Sequence, residues 1–395
     1  MAERAEAAEE FFDPVAMEEA VEDARSRVEA LKSRIEALEQ TKRNGTLHDV
    51  LRTMESPEPS SAAAVCTART FDKFMNGMSV RRKLHSRSRV NTLHWSAIHP
   101  NRLITAGGGE LIVWDAMKEA RVQRINTDMN WIMTCCLEPT LDALAAVGGH
   151  SNCINIYRVA APQQTTSRCC QQSRSADNLI SSDSQKKIQM LDQHDGYVSC
   201  ARFINEDRLV STGGDGMVIL WDVERGCPTQ LFNHDAYVMS VSVSPTNVHL
   251  FVTGSCDCLA KVWDMRQSPA AFIFEGHEAD INAVKFMPDG HSFVTASDDG
   301  TSRLFDLRSF SELNRFYDFD VDVCTSVDTS ISGRLVFVGA NKGMCYVWDT
   351  LEGSKIAQLD GHDGIFHIVC LGVNATGEAL CTAPFSGWPI LNVWA

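Results

Sequence analysis

Long apolar runs are missing from this chain: none approaches the roughly 18 residues that a membrane-crossing helix requires, so a spanning helix is excluded. An excess of basic charge is missing too. Lys and Arg number 36 against 51 Asp and Glu, a formal net charge of −15 with a pI near 5.2, and so acidic a chain lacks the positive surface that nonspecific nucleic-acid binding needs. The opening MAERAEAAEE has neither a basic start nor an apolar centre, so no secretory leader is expected. Ala2 argues against myristoylation and the final NVWA carries no prenylation box. Any membrane attachment is therefore expected to be borrowed from a partner.

Metal-site spacing is absent as well. The 14 cysteines are scattered, and Cys135-Cys136, Cys169-Cys170 and Cys256-x-Cys258 lack the paired CxxC and His pattern of a zinc site. Without a leader the expected compartment is the reducing cytoplasm, where they stay as thiols. No Gly-rich phosphate loop and no Ser/His/Asp cluster stands out, so neither an enzyme nor a cofactor is expected.

What is present is a repeat. Ser211, Asp215 and Trp221 return 42 residues on as Thr253, Asp257 and Trp263, and again as Thr295, Asp299 and Phe305. A histidine precedes each set: His194, His234 and His277. A period of about 40–45 residues with a late Trp-Asp pair is the signature of WD-repeat propellers, one four-stranded blade per period. A carboxylate, an imidazole, a hydroxyl and an indole N–H can bond in series, each buried group giving the next a partner. Such a chain locks a blade and turns over no substrate, so these residues read as structural rather than catalytic.

Reading outward, the blade-ending pairs are Trp114-Asp115, Tyr157-Arg158, Trp221-Asp222, Trp263-Asp264, Phe305-Asp306, Trp348-Asp349 and Trp394-Ala395. Six intervals join seven blades, and 79–395 is expected to form an all-β, seven-bladed propeller. One interval, 64 residues, exceeds the period by about 22; the surplus falls in the Ser/Gln-rich stretch 161–187, read as a disordered loop. A ring must also close, since an open one leaves bare strand edges. The chain ends on the third strand of blade 7, so Ser79–Leu84 is expected to supply its outer strand.

Before the ring, an acidic tail (1–14) leads into a heptad seam within 15–55, at Met17, Val21, Ala24, Val28, Leu31, Ile35 and Leu38. An isolated helix of this length is marginal in water, so the seam calls for a partner. A second chain in a coiled coil, a copy of itself, and its own propeller are the three candidates. Asn44-Gly45 stops the helix, Leu47, Val50, Leu51 and Met54 mark a short second one, and 56–78 is the linker.

Heptad helix, Gly turn, short helix and seven-bladed ring together resemble the beta subunit of heterotrimeric G proteins. The local motifs agree: Trp131-Ile132-Met133-Thr134-Cys135, Gly196-Tyr197-Val198-Ser199-Cys200, Gly276-His277-Glu278-Ala279-Asp280-Ile281-Asn282-Ala283 and Arg303-Leu304-Phe305-Asp306-Leu307-Arg308. The resemblance implies a non-catalytic protein that holds a small lipidated gamma subunit through the seam and so sits at the inner face of the plasma membrane. It further implies that one face binds the GDP form of an alpha subunit and serves effectors once alpha leaves. Carried onto matching positions, that face is Arg89, Trp131, Met133, Tyr197, Met239, Asp280, Asn282 and Asp298. The competing expectation for Trp131 and Met133 is burial in their own blades. The alternative to the whole assignment is a general WD scaffold that dimerises through its helix.

The chain departs from the family's pattern at several points. Asn91 stands where an aromatic is usual, Tyr237 for an acidic residue, His150 for an apolar one, and Pro384–Pro389 replaces the usual Ser-Trp-Asp of blade 7. The lock's carboxylate is replaced at Gly108, Ser151, Lys342 and near Trp388, and blade 1 has His85-Ser86 where Gly-His is usual. Locks are therefore expected in blades 3, 4 and 5, with weaker polar ties in blades 6, 7, 1 and 2 around the closure.

Overall fold

The computed structural model describes residues 78–86, 88–160, 187–267, 270–362, 367–386 and 389–395. The heptad seam from Met17 to Leu38, the second helix, nearly all of the linker and the 161–187 insertion lie outside them, except that Lys187 opens a strand.

Seven antiparallel four-stranded sheets make up the described residues. Six are built from consecutive strands. Their first strands are β2 (Thr92–Trp95), β6 (Ile132–Leu137), β10 (Val198–Phe203), β14 (Val238–Val243), β18 (Ile281–Phe286) and β22 (Cys324–Thr329). The seventh combines β26 (Ile368–Val373), β27 (Leu380–Pro384) and β28 (Ile390–Trp394) with β1 (Val80–His85) from the other end of the ring. Leu84 pairs with Leu391 and Lys83 with Asn392. Blade 7 thus closes the ring in the way the missing outer strand requires.

The burial pattern explains the composition of each strand. Second strands such as Arg102–Gly107 and Ser292–Ser297 are buried along their whole length, because a neighbouring blade covers each face. They therefore read as continuous runs rather than alternating ones. Outer strands such as Ser311–Tyr317 are mostly exposed. Seven apolar clusters fill the gaps between adjacent blades; the one across the closure includes Leu84, Leu93, Trp95, Trp114 and Val393.

Adjacent blades are also latched by hydrogen bonds at fixed heights on the inner strands. Counting from Ile132, Val198, Val238, Ile281, Cys324 and Ile368, and in step with them from Val90 in blade 1, the fifth residues are His94, Cys136, Arg202, Ser242, Lys285, Asp328 and Gly372. They form one layer around the axis. Three of them accept the amide of the next blade's sixth residue: His94 Nδ1 from Leu137 (3.3 Å), Ser242 Oγ from Phe286 (3.0 Å) and Asp328 Oδ2 from Val373 (2.9 Å). At the second position, Asn91, Ser199, Asn282 and Thr325 each donate to the first carbonyl of the next blade. Met133, Met239 and Val369 hold that position in the other three blades, where an apolar side chain can make no such bond.

Candidate functional site on the loop rim

The repeated polar residues come together as the spacing predicts. In blade 3, His194 places Nδ1 at 2.8 Å from Asp215 Oδ2 and Nε2 at 2.8 Å from Ser211 Oγ, which also accepts the Trp221 indole N–H at 2.8 Å. Blade 4 repeats this through Asp257, His234, Thr253 and Trp263, at 2.8, 2.7 and 2.8 Å. Blade 5 joins Asp299, His277 and Thr295 at 2.7 and 2.6 Å; Phe305 has no N–H to add. Each imidazole is almost wholly enclosed and uses both ring nitrogens within its own blade, which is the arrangement of a tie rather than of a general base.

The four blades expected to be more weakly tied are so, to different degrees. Blade 7 keeps three members of the lock: His362 Nε2 lies 2.9 Å from Thr382 Oγ1, which accepts the Trp394 indole N–H at 2.9 Å. The Asn392 amide nitrogen, 3.4 Å from His362 Nδ1, borders that nitrogen in place of a carboxylate and donates to the Gly361 carbonyl. Blade 1 keeps the indole leg, Trp114 to Thr105 at 2.9 Å. Blades 2 and 6 lose the hydroxyl, with Val147 and Val338 at the equivalent register, and the buried Tyr157 hydroxyl is without a partner among the described residues. In blade 7 the sequence signal is Gly361-His362 itself, which keeps the Gly-His pair although the carboxylate is gone.

Lock chemistry gives a pH dependence with a definite sign. Burial pulls His234 below its usual pKa, so the ring is neutral and can donate from one nitrogen while accepting at the other. Burial also opposes ionisation of Asp257, but hydrogen bonds from His234 and the Leu259 amide, with Lys261 nearby, outweigh it and hold the carboxyl at about 2. Both folded values lie below the unfolded ones, so both contributions are lost on acidification. That of His234 fades as pH falls below about 6.5, and that of Asp257 as pH falls from about 4 through 2. Thermal melts of the full chain are expected to drop steadily from pH 7 to pH 4. A melting temperature unchanged over that range would contradict the assignment of a neutral His234.

The second set of residues lies where the chain enters the inner strands, at the same end of each blade. Trp131, 43% exposed, immediately precedes β6 and is not buried in its blade. Its ring stacks on His150 (centroids 5.8 Å apart), His150 meets Tyr197 edge-on (5.7 Å), and Tyr197 meets Tyr237 edge-on (6.1 Å). Tyr197 also lies 3.9 Å from the Met239 sulfur. On the other side the Arg89 guanidinium sits over the Trp131 ring (4.7 Å) and over Phe385 (3.5 Å), which stacks on His367. The result is an aromatic arc from blade 7 through blade 4.

Small residues make the arc possible. A Cβ on Gly149 would stand 2.1 Å from the Trp131 carbonyl, and one on Gly214 would stand 2.3 Å from the Tyr197 ring. Both glycines are fixed by this close approach. Beyond the arc the rim turns acidic. The Asp298 amide bonds the Asp280 carbonyl at 2.9 Å, and the Asp298 carboxylate takes the Asn282 side chain. Asn282 also bonds the Cys324 carbonyl at 2.9 Å, so it serves the fold as well as the rim. Met133 and Met239, half-buried, carry no such bond.

All eight rim residues read from the sequence therefore share one end of the ring. His150 and Tyr237, noted in the sequence only as departures, are full members of the arc, and Phe385 restores an aromatic to the altered blade 7. His367 was missed, and only its proximity to Phe385 across the blade identifies it.

A family model described as the G protein beta WD-40 repeat protein matches residues 20–395. The chain belongs to that family. The guanine nucleotide-binding protein subunit beta of Nicotiana tabacum is 39% identical over 327 residues, covering 78% of this chain and 81% of the relative. The proteins of the same name from Arabidopsis thaliana and Zea mays are 39% and 37% identical, each covering 78% of this chain and 80% of the relative. As a member of the G protein beta family, the chain has a propeller whose departures fall on the rim and in the turns, while its ring architecture is intact.

Proposed function

We propose that the chain is a non-catalytic beta subunit of a heterotrimeric G protein. Through Met17, Val21, Ala24, Val28, Leu31, Ile35 and Leu38 it pairs with a gamma subunit, whose lipid holds it at the inner face of the plasma membrane. The rim formed by Arg89, Trp131, Met133, Tyr197, Met239, Asp280, Asn282 and Asp298 takes the GDP form of an alpha subunit and, after nucleotide exchange, effectors. The observation that carries this reading is the exposed Trp131–His150–Tyr197–Tyr237 arc, a pre-set aromatic surface beside carboxylates. Aromatics held rigid at the centre of a patch with a polar border suit a protein-binding hot spot.

The mechanism is competition for one surface: alpha and effectors exclude each other because each needs the arc, and exchange on alpha shifts the balance by lowering its affinity. The test is co-expression with a tagged gamma subunit, followed by size-exclusion chromatography with and without GDP-loaded alpha. A one-to-one pair that shifts on adding alpha is the expected result. A folded chain that never associates with gamma would overturn the proposal and favour a scaffold joined through its own helix.

A further inference from the structure

The axial channel of the ring, a cavity of about 540 Å³, is lined by the seven inner strands. Its charged lining is not balanced: among the described residues Arg202 and Lys285 face one carboxylate, Asp328. In a chain whose net charge is −15, this excess of positive charge at the axis runs against the whole.

Arg202, Lys285, Asp328 and His94 occupy the same layer, and their bonds leave one cation unserved. Asp328 is already engaged, with Oδ1 accepting from Lys285 Nζ at 2.9 Å and from the Thr329 amide at 2.8 Å, and Oδ2 from the Val373 amide at 2.9 Å. Arg202 has a single protein acceptor among the described residues, the Ala201 carbonyl at 2.8 Å, although a guanidinium carries five donors. Among the described residues Arg202 makes no ion pair, the layer's one carboxylate being paired with Lys285. His94 accepts the Leu137 amide at Nδ1, so its proton is on Nε2 and the ring is a further donor. Ser242 accepts the Phe286 amide and keeps its own hydroxyl proton to give. Gly372, the layer's residue in blade 7, adds no side chain to the channel.

Two cations and several donors around an axis, with the one acceptor carboxylate already used, form the complement of a small oxyanion. We propose that the channel binds an oxyanion of the phosphate class in the fifth-residue layer, held by the Arg202 fork and supported by Lys285. A guanidinium and an ammonium recognise such a group as fork and point charge. An anion held by Arg202 of blade 3 and Lys285 of blade 5 also ties separate blades from within, and binding raises stability by mass action.

The full chain, with gamma if it is needed for solubility, is titrated with inorganic phosphate at constant ionic strength set by chloride. Binding is followed by 31P line broadening and by the melting temperature. A parallel titration with a phosphate monoester, glycerol 3-phosphate, separates a free anion from the phosphoryl group of a larger molecule, and tighter binding of either supports the site. Saturable broadening and a saturable rise in melting temperature are expected. Arg202→Met should abolish both, and Arg202→Lys, which keeps the charge and the fold but loses the fork, should weaken binding by about tenfold. No saturable broadening in the unaltered chain, or Arg202→Lys and Lys285→Met both binding as the unaltered chain does, would overturn the proposal.

Discussion

Replacing Trp131 by alanine is expected to weaken capture of the GDP-form alpha subunit and of effectors together, by about 2–4 kcal/mol, or roughly thirty- to a thousandfold. The size follows from how the ring is held. The ring rests against His150 and Arg89, so it is already fixed in the unbound chain and loses little freedom on docking. With 43% of the residue exposed, a large aromatic area remains for a partner to cover. The fold should survive, because the contribution of Trp131 to the blade is its backbone carbonyl, which accepts the His150 amide at 3.1 Å. Calorimetry or surface binding with each ligand separately, alongside a thermal melt, measures all three terms. Loss of alpha binding with effector binding intact would refute a shared surface, and a collapsed melt would show that the residue is structural after all.

Residues differed in how plainly the sequence revealed their roles. Asp215, Asp257 and Asp299 repeat at 42 residues because each blade must solve one problem, the burial of an indole or imidazole with its partners, in one geometry. A periodic constraint leaves a periodic trace. The missing outer strand of blade 7 was equally legible, since an unpaired edge has to be covered by something, and the stretch around Ser79–Leu84 stands directly before blade 1. His367 and Phe385 left no such trace: they reach the rim from a blade whose turn breaks the repeat, and the contact with Arg89 joins residues nearly 300 positions apart. The layer of His94, Arg202, Lys285 and Asp328 was hidden for a third reason. Its members share a height on the ring and no common chemistry, so only the strand register gathers them.

Thr253→Val is the substitution expected to damage the fold most for the smallest change in shape. The hydroxyl it removes lies 2.7 Å from His234 Nε2, accepts from Trp263 Nε1 at 2.8 Å and reaches the Lys261 carbonyl at 3.3 Å. Valine fills the space and leaves an imidazole nitrogen and an indole N–H buried without partners. Each orphan costs about 1–3 kcal/mol, so a loss of roughly 2–6 kcal/mol is expected. Blades 2 and 6 show that valine at this position is not harmful in itself. Val147 and Val338 occupy it there, where the lock is absent and apolar neighbours surround it. The damage therefore lies in the orphaned partners and not in the methyl group. Combining Thr253→Val with Trp263→Phe, the residue blade 5 carries as Phe305, removes the indole orphan and should recover part of the loss, since an apolar pair can replace a bonded one at little net cost. Amide exchange resolved to blade 4 is the appropriate readout, because a ring of seven blades need not unfold in a single step. A double variant no more stable than Thr253→Val would mean that the lock contributes through packing rather than through its hydrogen bonds.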